Sequence, residues 1–239
     1  MFAPYRPVVP ERLLETRGSV GQIGYTGASP TGGSVTELQI TGRAGIAAEA
    51  SAVVLNVTGT NAAGGYVTVY PCGATRPTAS NLNLAAGATA ANLVITAIGD
   101  GGKVCLHTQS AVDLVADVNG WYPADATYNP VVPARLLETR RSAGQVGYTG
   151  NSPAAGATVS LQITGRAGVP ADASAAVLNV TATNAAGGYV TVYPCGAPRP
   201  TASNLKPRRG RHGRQPRDHE DRHRRQGLLV HTERSRHDR

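Results

Sequence analysis

Apolar and polar residues alternate over short stretches along this chain, and the alternation has the period of a β-strand. Residues 34–42 (SVTELQITG) nominate Val35, Leu38 and Ile40 as inward positions, with an irregularity between the first two. Residues 52–60 (AVVLNVTGT) put Val53, Leu55 and Val57 on one face, and residues 65–72 (GYVTVYPC) put Val67 and Val69 opposite Tyr66, Thr68 and Tyr70. SNLNL, NLVITAIG, KVCLHTQ and AVDLVADVNGWY complete a set of about seven strands rich in Val, Ile, Thr and Tyr. Turn signals separate them: GASPTGG at Gly27, NAAGG at Asn61 and GDGG at Gly99. Helical periodicity is nowhere sustained, and GIAAEASA at Gly45 amounts to one short turn at most. Regularly spaced short strands predict an all-β fold, an antiparallel β-sandwich that is Ig-like only in the loose architectural sense, with a β-barrel as the alternative.

The same pattern then recurs. Tyr5 to Leu82 align without a gap onto Tyr128 to Leu205 at a constant offset of 123, with 60 identities in 78 pairs. The match stops abruptly after Leu205. This divides the chain into a complete unit over 5–123, a partial second unit over 124–205, and a tail over 206–239. The division also relocates the charge. The net +8 suggests a polyanion binder, but residues 1–205 hold 11 Lys+Arg against 10 Asp+Glu, while the tail holds 12 against 5 and five of the six histidines. Opposite Ala88–Ile95 (ATAANLVI) the tail reads RHGRQPRD at Arg211–Asp218, the outcome of reading GC-rich codons one base early. The tail is therefore expected to be a frameshift product, basic and disordered. The second unit is expected to keep its strands through Ser203 and to lack the last three. Phosphate contacts by the tail would give nonspecific nucleic-acid binding, with no aromatic residue for base stacking. No apolar run is long enough for a membrane helix. Met1 runs straight into the repeat with no signal peptide, so an N-terminal part is expected to be missing from a body of extracellular character.

The cysteines sharpen that character. Cys72 and Cys105 lie in strand patterns and are expected to form a disulfide, with two buried thiols as the alternative; their spacing is poor for zinc. Cys195, the match of Cys72, is left unpaired. The most distinctive polar string is RLLETR, where Arg12, Glu15 and Arg17 are candidate contacts for a ligand carboxylate or sugar. The structural alternative is that Leu13 and Leu14 plug the core while the charges pair with one another. Tyr66, Tyr70, Trp121 and Tyr122 are candidate sugar-stacking faces, with packing as the competing use. Asp113, Asp117 and Asn119 lack the calcium-loop pattern and read as turn or structural groups. GDGGK lacks the spacing of a phosphate loop, and His107 is the only histidine of the body that a nucleophilic triad could use. No catalytic residue, metal site or cofactor is nominated. The Asn56 and Asn179 sequons fall in strands, where the solvent face of a ladder is the expected role.

Taken together, PVVPERLLETR, AVVLNVTGTNAAGGYVTVYPCG, RPTASNLNL, GKVCLHT and DLVADVNGWY resemble the repeat modules of secreted and surface proteins from high-GC actinobacteria. Those modules carry an RLLDTR-like entry and a closing D-V-x-G-W/Y-F segment; this chain has Glu15 and Glu138 where Asp is usual. The resemblance implies an exported, noncatalytic accessory, adhesion or spacer module, with cell-wall or other polysaccharide as the partner class. Two other readings compete with it: a fragment of an extracellular hydrolase with its site among the few carboxylates, and nucleic-acid binding through the tail. The sequence names neither the ligand nor the oligomeric state.

Overall fold

The computed structural model describes residues 5–201 and 203–205, together with the backbone of 225–231. The first unit forms eight strands: β1 (Arg6–Glu15), β2 (Val35–Gln39), β3 (Ala50–Thr60), β4 (Ala63–Pro71), β5 (Leu82–Ala86), β6 (Ala90–Ala97), β7 (Lys103–Thr108) and β8 (Asp113–Pro123). They make two antiparallel four-stranded sheets, in the orders β1-β8-β3-β6 and β2-β7-β4-β5. Neither sheet closes on itself, so the molecule is a β-sandwich and not the alternative barrel. Seven of the eight strands are those the alternation predicts. The eighth, β1, contains Pro7 and Pro10 and has no clean period of two. Proline is tolerated there because β1 is an edge strand with one ladder partner.

The core lies between the sheets. Val53, Leu55 and Val57 of β3 and Leu114, Ala116 and Val118 of β8 face Leu38 of β2, Val67 and Val69 of β4 and Leu106 of β7, all fully buried. One irregularity and one correction adjust this pattern. Against β3, the β8 register passes from Val118 to Gly120 while β3 advances one residue, so Asn119 is extra and Trp121 is turned back into the core. A Cβ on Gly120 would strike the Tyr5 ring and the Arg6 carbonyl, which is why the bulge is followed by glycine. The correction concerns β2: Val35 is 48% exposed and Thr36 faces inward in its place. The inward residues are thus Thr36, Leu38 and Ile40, an unbroken period of two.

The outer face of the second sheet is also covered. The segment 72–81 folds back over it: Thr68 donates to the Ala79 carbonyl (3.1 Å), and the Val69 N–H donates to Asn81 Oδ1 (2.7 Å). This explains why Thr68 and Tyr70, on the face opposite Val67 and Val69, are buried as well.

The second unit differs. Among the described residues between 124 and 205 a single strand forms, β9 (Ala175–Thr181), with isolated bridges Glu138–Val146 and Val190–Leu205. β9 pairs in unbroken antiparallel register with β10 (Arg225–His231), so a strand occupies part of the span expected to be disordered; its GLLV is the apolar run of the tail. The remainder of the tail, and with it the frameshift reading, lies outside the described residues. Among the described residues the other strands expected in the second unit form no ladder. In the first unit β1 and β2 pair with β8 and β7, and β4 pairs with β7 and β5; β6, β7 and β8 have no sequence counterpart in 124–205, and of the β4–β5 ladder the second unit keeps the Val190–Leu205 bridge.

Candidate functional site

RLLETR occupies the end of β1 and the turn after it. In the β1–β8 ladder Arg12 lies opposite Asp117 and Leu14 opposite Ala116, leaving Leu13 as an extra residue. The bulge lets two consecutive leucines enter the core, which a regular strand cannot do; both are fully buried. Arg12 and Glu15 are left on the outer face. Glu15 is only 1% exposed and is held from two sides. Arg17 donates through Nε to Oε1 (2.8 Å) and through Nη2 to Oε2 (2.7 Å), its backbone N–H adds a third bond to Oε1 (3.1 Å), and Arg12 Nη1 reaches Oε2 at 3.0 Å. Bonding from Arg17, chiefly its side chain, holds the Glu15 carboxyl below its ordinary range against the opposing effect of burial. Arg12 bonds Asp117 (2.8 Å) as well, which raises its own pKa.

Beside this knot sits Asp113. Ser29 Oγ (2.5 Å), Thr16 Oγ1 (3.4 Å) and Asn61 Nδ2 (2.8 Å) donate to its oxygens, and Thr16 also accepts the Leu114 N–H. Asp113 thus ties the entry segment, the 27–33 loop and the β3–β4 turn to the start of β8. Asn61 takes a left-handed φ of 50° to reach it. Every carboxylate of this cluster is spent on neighbours within the fold. Arg12, Glu15 and Arg17 consequently pair among themselves and with Asp117, which is the structural alternative weighed for them.

The disulfide joins Cys72, one residue past β4, to Cys105 on the adjacent strand β7, with a Cα–Cα separation of 5.0 Å. It lies within one sheet rather than between sheets, and Tyr70 packs against it. Gly99 crosses it so closely that a Cβ would meet the backbone of Cys72. Of the stacking candidates, Tyr70 and Trp121 are 7% and 8% exposed and take the packing role. Tyr66 is half-buried, with its ring 6.3 Å from that of His107. Burial and the nearby Arg76 guanidinium, 3.1 Å away, lower the His107 pKa, so the ring favours its neutral form. Cys195 is free and exposed.

Two features escape the sequence pattern. Tyr5 and Tyr128, equivalent positions of the two units, flank Tyr122 with centroid distances of 5.2 and 4.7 Å. Burial pushes the Tyr128 hydroxyl up to about 12, whereas Tyr5 is 36% exposed. The 123-residue spacing was the signal that paired them. The second feature is a shallow groove of about 810 Å³ between the 75–78 segment and residues 131–135, with Val146 and Gly168 at its margin and no aromatic side chain in its lining. Among the described residues no three His, Cys, Asp or Glu side chains converge as metal ligands, and no helix is long and apolar enough to cross a membrane. Comparison with family models, with curated proteins and with solved structures gives no match in any of the three.

Proposed function

We propose that residues 5–123 are a noncatalytic accessory module of a secreted or cell-surface protein, acting in adhesion, display or spacing, with cell-wall or other polysaccharide as its partner class. The observation that carries this reading is the Cys72–Cys105 disulfide in a module this small, a bond that persists in oxidising compartments. The commitment of Glu15, Asp113 and Asp117 to internal donors supports the noncatalytic part, because glycoside hydrolysis needs two carboxyl groups facing across an open cleft. The aromatic surface that would meet a sugar is the Tyr5–Tyr122 pair. Retention of the full chain on peptidoglycan and on a glycan array tests the binding role. Retention that falls at least about tenfold in Tyr5→Ala supports polysaccharide contact at this pair. No retention on any glycan reduces the proposal to a spacer. Recovery of the protein with both cysteines reduced from an exported preparation would remove its main support.

A further inference from the structure

The first unit shows what the second is shaped to hold. In the first, β8 lies between β1 and β3, and its two aspartates are received by four residues: Arg12 for Asp117, and Thr16, Ser29 and Asn61 for Asp113. All four recur 123 positions on, as Arg135, Thr139, Ser152 and Asn184. Among the described residues none of these meets an aspartate, and Arg135 bonds Glu138 alone. Two features of the local backbone match those of the first unit. Asn184 holds φ 54° against 50° for Asn61, and the Glu138–Val146 bridge repeats Glu15–Ile23. Among the described residues β9 is paired on one edge only, whereas its counterpart β3 is paired on both. Leu137, the counterpart of buried Leu14, is 37% exposed, and Cys195 stands free where Cys72 is bonded.

We propose that residues 124–205 are an acceptor for two β-strands supplied by a partner polypeptide. One strand carries the chemistry of β8, an acidic residue, three apolar residues and a second acidic residue (Asp113-Leu-Val-Ala-Asp117); the other carries the chemistry of β7, with a cysteine at the position of Cys105. The first adds to the open edges of β9 and the 130–138 segment, with its two acids entering the sockets of Arg135 and of Thr139, Ser152 and Asn184. The second runs beside residues 188–194 and brings its sulfur to Cys195. Main-chain pairing supplies affinity and the two acidic positions supply register.

The test uses the full chain and a labelled synthetic peptide of residues 103–123, with Cys105 replaced by serine for the equilibrium measurement. Fluorescence anisotropy is expected to show saturable binding. Asp113→Asn and Asp117→Asn in the peptide each weaken it about tenfold. The Asp117→Asn loss disappears when the chain carries Arg135→Ala, because the two changes remove one contact. In a second arm the peptide keeps Cys105 as a mixed disulfide with glutathione. The Cys195 thiolate attacks the peptide sulfur, the peptide–glutathione bond breaks, and glutathione leaves as a thiolate that takes up the proton. Mass spectrometry then finds the peptide on Cys195. Absence of saturable binding, equal binding of a scrambled peptide, or indifference to both aspartates overturns the proposal. So does a chain that is dimeric without peptide and becomes monomeric when peptide is added, since the occupant is then a second copy.

Discussion

The two units share most of their residues between 5 and 82 and between 128 and 205, yet one is a sandwich and the other, among the described residues, is mostly turns and unpaired backbone. What they share in three dimensions is local. The left-handed positions recur almost degree for degree: Gly24 and Gly147 at φ 62° and 60°, Ala44 and Ala167 at 50° and 49°, Gly42 and Gly165 at 77° and 75°. The glutamine clamp recurs, with Gln22 Nε2 donating to the Thr16 and Gly27 carbonyls and Gln145 Nε2 donating to those of Thr139 and Gly150. Arg43 bonds the Leu13 carbonyl, and Arg166 bonds that of Leu136. What is absent from the second unit is every ladder whose partner comes from β6, β7 or β8. Turns and caps are specified within a few residues and form wherever their sequence occurs. A sheet is specified by pairs far apart in the chain, and β7 and β8 each supply one of the two central strands of a sheet.

The largest effect that could break this comparison is in amide exchange. Backbone amides of β3, β7 and β8 are expected to exchange only through global opening, at least about a thousandfold slower than those of 130–170, which have turn hydrogen bonds but no sheet. Mass-spectrometric exchange resolves the two units on one chain. Equal protection in both would show that the second unit has a core that its ladders do not account for.

Next in size is the disulfide. Its 33-residue span predicts a contribution of about 4 kcal/mol through the closed loop of the unfolded chain. Cys72→Ala with Cys105→Ala should lower the first unit's stability by that order in urea unfolding. Cys195→Ala, at the equivalent position, should leave the transition within about 0.5 kcal/mol, because nothing is bonded there. A similar fall in both variants would contradict the structural difference between the equivalent cysteines.

A smaller and sharper comparison is Leu55 against Leu178. Leu55 is fully buried between the sheets, and its truncation to alanine should cost about 3 kcal/mol. Leu178, half-buried on β9, should cost less than about 1 kcal/mol in the same unfolding measurement. Comparable losses would mean that the second unit buries β9 as thoroughly as the first buries β3.

These contrasts also show which parts of the molecule were legible in the sequence. Val53, Leu55 and Val57 were readable because strand burial has a period of two, and the pairing of Cys72 with Cys105 because each sits in a strand pattern and they are the two cysteines of the complete unit. β1 was not readable as a strand. Its bulge at Leu13 breaks the period, and its prolines mimic a loop until the edge position is known. The inward turn of Trp121 depends on one extra residue at Asn119, and the register of a partner strand is needed to see it. The charges of RLLETR could be read as a ligand site or as a self-paired knot, since Asp117 lies 105 residues away and only the fold brings it to Arg12. The packing of Tyr70 has the same origin: the 72–81 segment covers a face that alternation alone would assign to solvent.

The smallest effect is the pH dependence of the two glutamates, and it probes the boundary between local and long-range order. Both have folded pKa values below the ordinary 4.5, Glu138 at about 2, chiefly through Arg140 in one case and Arg17 in the other. A lowered carboxylate pKa favours the ordered state fully above the unfolded value of 4.5, and that contribution is lost as pH falls through the folded value. Glu15→Gln should therefore destabilise the first unit by about 1–2 kcal/mol at pH 7, discounted for the partial exposure of both arginines. The gap between wild type and variant should close as pH falls below 4.5, and a gap constant from pH 7 to pH 2 would remove the charge from the explanation. Glu138 supplies the contrast. Its partners are two and three residues away, so its low pKa belongs to the turn itself. Carboxyl NMR titration in urea just sufficient to open the sandwich should leave the Glu138 value below 4.5 if the turn survives without a sheet. Return of Glu138 to 4.5 in step with loss of the first unit would mean that the turns of the second unit are held by the sandwich beside them and not by their own sequence.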